Sequence, residues 1–281
     1  MKLALTVVAA LALGACAPTK PAATPPTSGA IAPAVSDGIR FPLPRPKVGD
    51  VVTETEVRSI AATVEVSPTQ QVHVLSSEQR TELKQIVALD GDVVTKVKIT
   101  HRAISSQEIV NGTPRARPTP TLGKTYLVWR AGGVVQVSYV DGTAPPAEEI
   151  KEVRRGNSSV GRREPMDRIV AGRVWTIGER FDVTAPQLAE LNQTMRDDDD
   201  ATLTAMSLTL QTVDAEVATL ALTLALSATG TDGDSTMALA GVVKLERKTG
   251  RVLELGGTGP FSGVIKLKMV GTMTMKTRYA Y

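Results

Sequence analysis

The chain has 281 residues, 42% apolar and 22% charged, a globular composition long enough to bury a sizeable core. Its formal charge is +3 with the basic residues scattered, and it has no RNP-like aromatic motif, zinc-finger spacing or recognition-helix pattern, so no nucleic-acid partner is expected. One cysteine, Cys16, excludes an intrachain disulfide and a multi-cysteine zinc site, and 3% aromatics leave the core to Leu, Val, Ile, Met and Ala.

The chain opens with Lys2 and an apolar run from Leu3 to Leu13, broken only by Thr6. A positive charge followed by such a run is the pattern of a signal peptide. The run is too short to span a bilayer, which takes about 20 residues. Leu13-Gly14-Ala15-Cys16 then resembles the lipobox of bacterial lipoproteins. The resemblance implies removal of residues 1–15, a diacylglycerol thioether on Cys16 and acylation of the new amine. A thiolate is the best nucleophile the chain offers for that bond. Ordinary secretion would instead read Ala15-Cys16-Ala17 as an A-x-A site, leaving Pro18 first, where cleavage is disfavoured. Ala17, rather than Asp, follows the cysteine. In the lipoproteins it resembles, that favours the outer membrane, so the expected location is the cell envelope, facing the periplasm or the cell surface. The membrane is the expected partner, through Cys16.

Residues 16–47 are rich in Pro, Ala and Thr, including Pro18, Pro25, Pro26, Pro42, Pro44 and Pro46. Proline fixes φ and removes a donor, so the segment reads as a semi-extended tether. A β-rich envelope domain is expected over residues 48–281.

From Val48 the pattern has period two. Val93, Thr95, Val97 and Ile99 alternate with Val94, Lys96, Lys98 and Thr100. Met206, Leu208 and Leu210 alternate with Ser207, Thr209 and Gln211, and Leu220, Leu222, Leu224 and Leu226 with Thr and Ala. Ile265, Leu267, Met269, Met273 and Met275 alternate with Lys, Val and Thr. Turn signals separate the runs at Asp90-Gly91, Gly132-Gly133, Asp141-Gly142, Asp232-Gly233 and Thr249-Gly250. Roughly five strands precede residue 142 and five follow residue 201, by that alternation. Between them, Ala147 to Arg155 reads as a helix begun by Pro145-Pro146 and ended by Gly156, with Ile150 and Val153 on its packing face. Pro186 to Met195 reads as another, capped by Thr184. The fold class is therefore mainly β (α+β): two antiparallel meander halves forming a curled sheet or half-barrel, with short helices in the middle packing across its concave face.

Val174-Trp175 and Gly178-Glu179-Arg180-Phe181 lie at mid-chain. With the two β halves, they resemble a group of envelope lipoproteins, and the half-barrel lipoprotein carriers. The resemblance implies a sheet curled around helices and brings no catalytic residue with it.

The chain offers little for catalysis. There is no G-x-S-x-G elbow, HExxH or P-loop. His101 continues the inward phase of Val97 and Ile99 at a strand's end and reads as a hydrogen-bonded structural histidine; His73 reads the same way near a loop. Carboxylates clustered around His101 in a cleft would favour an enzyme. Gly256-Gly257-Thr258-Gly259 reads as a bulge or tight hairpin, and Asp197 to Asp200 as a solvated run without EF-hand spacing. Arg154-Arg155 and Arg162-Arg163 flank a polar loop that could meet anionic headgroups. No enzyme activity, cofactor or metal is expected. The candidate ligand-lining residues are Leu220, Leu222, Leu224, Leu226, Met269 and Met273, because pliable Met and Leu stripes suit variable apolar ligands. The expected function is binding of a lipid or other apolar ligand in the curved sheet. The alternative is an assembly factor holding an envelope protein by its sheet edge.

Overall fold

A computed structural model of the chain describes residues 38–195, 201–230, 233–265 and 267–281. The signal, Cys16, most of the tether and the Asp197 to Asp200 run lie outside the described residues. In chain order, the amino half holds β1 (Ile39–Arg40), β2 (Val51–Ser67), β3 (Gln70–Asp90), β4 (Val93–Val110), β5 (Thr113–Arg115), β6 (Thr125–Ala131) and β7 (Val134–Tyr139). The middle holds α1 (Ala147–Arg155), α2 (Pro165–Ala171), β8 (Val174–Trp175), β9 (Arg180–Asp182) and α3 (Ala185–Met195). The carboxyl half is β10 (Ala201–Val213), β11 (Val217–Gly230), β12 (Gly233–Glu246), β13 (Val252–Ile265) and β14 (Leu267–Ala280).

Twelve of these strands form one open, antiparallel sheet in the order β7-β6-β4-β3-β2-β14-β13-β12-β11-β10-β9, with β5 beside β4, and β1 and β8 pair as a separate two-stranded sheet. Each half is a meander, as the alternation requires. The halves join where β2 pairs with β14, Ile60 facing Met273 and Ala62 facing Gly271. The first and last long strands therefore meet at the middle of the sheet. Its flanks, β7 and β9, are linked by the helical segment.

Short turns set the hairpins. Gly91, Gly132 and Gly133 take positive φ, the conformation that two-residue hairpin turns need. Asn111 and Gly112 do the same between β4 and β5, a hairpin with the Asn-Gly signature. The Gly256 to Gly259 run is neither a turn nor a bulge. It lies inside β13, with Gly257 facing Gly241 of β12 and Met275 of β14. A Cβ on Gly241 or Gly259 would stand 1.8 Å from a carbonyl oxygen of the neighbouring strand. Only glycine permits so close an approach of the neighbouring backbone.

α1 runs from Pro146 to Gly156 as its flanking residues imply, with Glu148 and Glu149 in the first turn and Arg154 and Arg155 in the last. α3 opens with the Thr184 amide and hydroxyl both donating to Gln187 Oε1 at 3.0 and 2.9 Å. α2 was not expected from periodicity. Pro at its first position and Asp167 in its first turn are start signals, but seven residues are too few to show a helical repeat. The helices cover the two flanks rather than the middle of the inner face. Val153 and Ile150 of α1 pack with Val97, Ile99, Tyr126, Val128, Val135 and Val137. α2 and α3 supply Ile169, Val170 and Leu191 to a second core with Leu208, Leu210, Leu220 and Val243.

The folded part begins before residue 48. Ile39 pairs with Trp175, and Phe41 is 3% exposed in the core beneath α2 and α3. The prolines of residues 42–46 stop helix and strand from propagating, but they do not keep the apolar side chain just before them from packing. Trp175, 0% exposed, donates its Nε1 proton to the Val170 carbonyl at 2.9 Å and meets Phe181 edge-on at 6.1 Å. Arg173 lies over both rings and pairs with Glu179, whose other oxygen accepts the Thr176 amide. The Gly178 to Phe181 segment is thus a structural clasp that fixes the middle of the chain to β10.

Candidate functional site

The leucine and methionine stripes fall into two environments. Leu220, Leu222 and Leu226 are buried in the core that α2, α3 and Trp175 cover, so the chain itself fills that surface. Met273, 1% exposed, sits instead in a central cluster with Ile60, Ala62, Leu239 and Phe261. Met269, Met275, Met237 and Leu224 pack against this cluster while remaining partly exposed. Leu224 touches both groups. Among the described residues the central cluster contains only strand residues, from β2, β12, β13 and β14.

Next to this apolar field the same inner face becomes charged. Along β2 the register with β14 places Ile60 opposite Met273, Arg58 opposite Met275, Glu56 opposite Thr277 and Glu54 opposite Tyr279. Alternation therefore puts Glu54, Glu56 and Arg58 on the inward side with Ile60 and Ala62. β3 contributes Glu78, Arg80, Glu82 and Lys84, and α1 contributes Glu152. Lys84 Nζ lies 2.7 Å from Glu54 and 3.6 Å from Glu82. Arg80 reaches Glu152 at 2.8 Å, Glu78 at 3.1 Å and Glu82 at 3.4 Å. Arg58 pairs with Glu56.

His101 stands at this cluster, 0% exposed, with Nδ1 3.1 Å from Glu82 Oε1. Glu82 is thus the ring's polar partner, and this contact is among those that hold the Glu82 carboxyl down. It is an electrostatic contact, supplemented by the edge-on Tyr126 ring at 5.6 Å. The position of His101 differs from the sequence expectation. It lies well inside β4, which continues to Val110, and its partner is a buried carboxylate of the neighbouring strand.

Burial alone would push Glu82 up, but Lys84, His101 and Arg80 outweigh it and hold the carboxyl well below the usual carboxylate range. Burial would lower Lys84, and the Glu54 and Glu82 carboxylates overcome it and raise the ammonium. Glu54 is raised, by burial first and by Glu82 and Glu56 as like charges, against the opposing pull of Lys84. Carboxylates do therefore gather around His101. No hydroxyl or thiol hydrogen-bonds its ring among the described residues, so no nucleophile–base pair is formed. Nor is any group of three or more His, Cys, Asp or Glu among them arranged to hold a metal ion.

A second buried carboxylate fastens α1. Glu149 accepts from Lys124 Nζ and Tyr126 Oη, each at 2.6 Å, and from Tyr139 Oη at 2.8 Å. These donors outweigh burial, and its carboxyl lies below its ordinary value. On α2, burial and the neighbouring Glu164 push Asp167 up to about 7. The remaining polar candidates are structural. His73 bonds Thr63 and Asn111 within a strand. Arg154 donates to the Val135 carbonyl and Arg163 pairs with Asp92; Arg162 donates to the Gln193 carbonyl and Arg155 is engaged as well. The arginine loop is therefore occupied by the chain's own groups.

No protein-family model matches the chain, and no curated protein sequence matches it. Among solved structures it is weakly similar to one described as "Lipid-protein interactions in lipovitellin", with a TM-score of 0.43 and 7% identity over 84% of this chain. The chain corresponds to only 25% of that protein's length. A likeness this distant carries no argument about ligand or activity.

Proposed function

We propose that the protein is a non-enzymatic lipoprotein of the cell envelope, anchored through Cys16, that binds a lipid or other apolar ligand on the inner face of its curled sheet. One observation carries the binding half of this reading. The inner face changes from charged to apolar along single strands, and among the described residues its Met-rich apolar part lies between the helix-covered flanks without a helix of its own. Such a face is itself amphipathic, and Met side chains adapt to ligands of variable shape. Leu224 and Met269, both partly exposed, remain the lining candidates, and Met273, 1% exposed, is core of the central cluster. Leu220, Leu222 and Leu226 act as core beneath the helices.

Edge-on capture of a protein partner is less well supported. Asn192 of α3 already bonds both backbone groups of Leu203 on β10, at 2.7 and 3.0 Å, and Arg154 takes the Val135 carbonyl on β7. Both flanks thus use edge groups internally.

The test is uptake of a fluorescent apolar probe by the full chain. Saturable uptake is expected, weakened several-fold by Leu224→Ala with little loss of stability. Leu220→Ala should instead cost roughly 2–5 kcal/mol of stability. Folded protein that takes up no probe would contradict the binding reading. The anchor is tested separately: cells fed labelled palmitate should label this protein, and Cys16→Ser should abolish the label. No helix among the described residues is long and apolar enough to cross a membrane, so the acyl groups are the proposed attachment.

A further inference from the structure

The chain enters the fold through residues 38–51, and this segment is held in place. Ile39 and Arg40 pair with Trp175 and Val174, and Phe41 is buried. Pro42 and Pro44 lie against Gly250 of the β12–β13 turn, where an added Cβ would stand 2.0 Å from the Pro42 carbonyl oxygen. The Asp50 amide donates to the Lys47 carbonyl at 3.0 Å and closes a tight turn, with Val48 at its tip and Gly49 at a φ of +90°. The Asp50 carboxylate pairs with Arg251 at 2.9 Å, and Arg251 lies 4.6 Å from the centre of the Tyr281 ring. The entry segment, the β12–β13 turn and Tyr281 therefore form one continuous surface.

That surface combines exposed aliphatic groups with free cations. Val48 is 63% exposed and Leu43 50%, and Val51 and Tyr281 are exposed beside them. Several exposed apolar groups gathered on one held segment mark a contact, where a single one would not. Arg40, Arg45, Lys47 and Lys248 are exposed too, and no ion pair or hydrogen bond engages their side chains among the described residues. The carboxylates alongside are mostly taken by the chain itself. Asp50 holds Arg251, Glu246 accepts the Thr249 hydroxyl, and Asp214 accepts the Glu216 and Val217 amides. Glu216 is left against four free cations.

We infer that this surface seats the domain on a bilayer of anionic lipid, with Val48 and Leu43 reaching the acyl boundary and Arg40, Arg45, Lys47 and Lys248 meeting the headgroup phosphates. The course of the chain selects this occupant. Residues 17–37 run directly from Cys16 to this segment, so the proposed anchor brings this side of the fold to the membrane first. Basic residues beside an anchor are drawn to anionic headgroups, and acyl chains together with a basic patch make a two-part attachment. A turn-tip valine beside a lysine also suits an interface that is apolar below and charged above. The inference concerns a surface apart from the inner face of the sheet and goes beyond the ligand reading.

For the test, the full chain carrying Cys16→Ser and Val48→Cys is labelled at its single thiol with an environment-sensitive fluorophore. It is mixed with vesicles of phosphatidylcholine alone or with phosphatidylglycerol added. The apolar run of residues 3–13 draws this chain to either vesicle, so the readout is the depth of the label. With phosphatidylglycerol the emission should shift to the blue and be quenched by brominated acyl chains, and salt should reverse both. The same label at Val264→Cys, at the other end of β13, should stay in water. Arg45→Gln, Lys47→Gln and Lys248→Gln together should lower the seated fraction at least about tenfold with the melting curve unchanged, since each cation near an anionic surface contributes about fivefold. A label at residue 48 that stays in water on both vesicles would overturn the inference. So would equal depth on both vesicles, burial at residue 264 in its place, or seating that survives the three substitutions. Probe uptake by the inner face is untouched by any of these outcomes, so the two readings fail separately.

Discussion

Phe41 precedes the first long strand, yet it is 3% exposed and packs with Trp175, Ile169 and Leu191. Removing a buried phenyl leaves a cavity, so Phe41→Ala should destabilise the protein by roughly 3–5 kcal/mol, read as a lower midpoint in urea. A chain begun at Val48, the expected start of the β-rich domain, should suffer at least as much, because it lacks Phe41. An unchanged midpoint would show that residues 38–47 only rest on the surface. Asp167 behaves differently. Its carboxyl stands near 7 in the folded chain, against about 4 when unfolded. The folded state therefore holds the extra proton between those values. The associated stability is complete below about pH 4 and is lost as pH rises through about 7. Asp167→Asn should raise the melting temperature at pH 8 and change it little at pH 4, whereas a uniform shift would mean that the carboxyl is not buried against Glu164. Glu82 has the opposite sign: its depressed carboxyl contributes stability at neutral pH that is lost on acidification.

At the scale of elements, much was legible. The alternation of β11, the glycine turns and the Pro-to-Gly boundaries of α1 follow from local chemistry that needs no partner. The inward row of β2 was not. Glu54, Glu56 and Arg58 carry no apolar mark of an inward row; they face inward because Ile60 and Ala62 fix the phase and β3 supplies Arg80 and Lys84 across the strand. Those partners lie more than twenty residues away, beyond any local pattern. Ile39 to Phe41 was masked by the prolines that follow, and α2 by its brevity. The glycines of β13 were visible, but their reason was not, since the oxygen that excludes a Cβ belongs to the neighbouring strand. The candidate lining residues divide between two clusters: Met269, Met273 and Leu224 join the central one, and Leu220, Leu222 and Leu226 join the covered core.

At the scale of the whole molecule, the described residues are dominated by one 12-stranded sheet whose ends are tied by helices rather than by hydrogen bonds. β2 and β14 bring the two halves together at its centre, and α1 to α3 hold the flanks with Glu149 and the Trp175 clasp as fasteners. The central proposal is that a sheet left open in this way admits a ligand on its inner face without the backbone pairing being broken. Native mass spectrometry of the full chain carrying Cys16→Ser, after exposure to extracted membrane lipids, tests it most directly. A discrete adduct of lipid mass should survive transfer, at a stoichiometry near one, and should be reduced by Leu224→Ala. A folded protein with no adduct at any lipid concentration, or one that collects lipids in an unsaturable series unaffected by Leu224→Ala, would contradict the account.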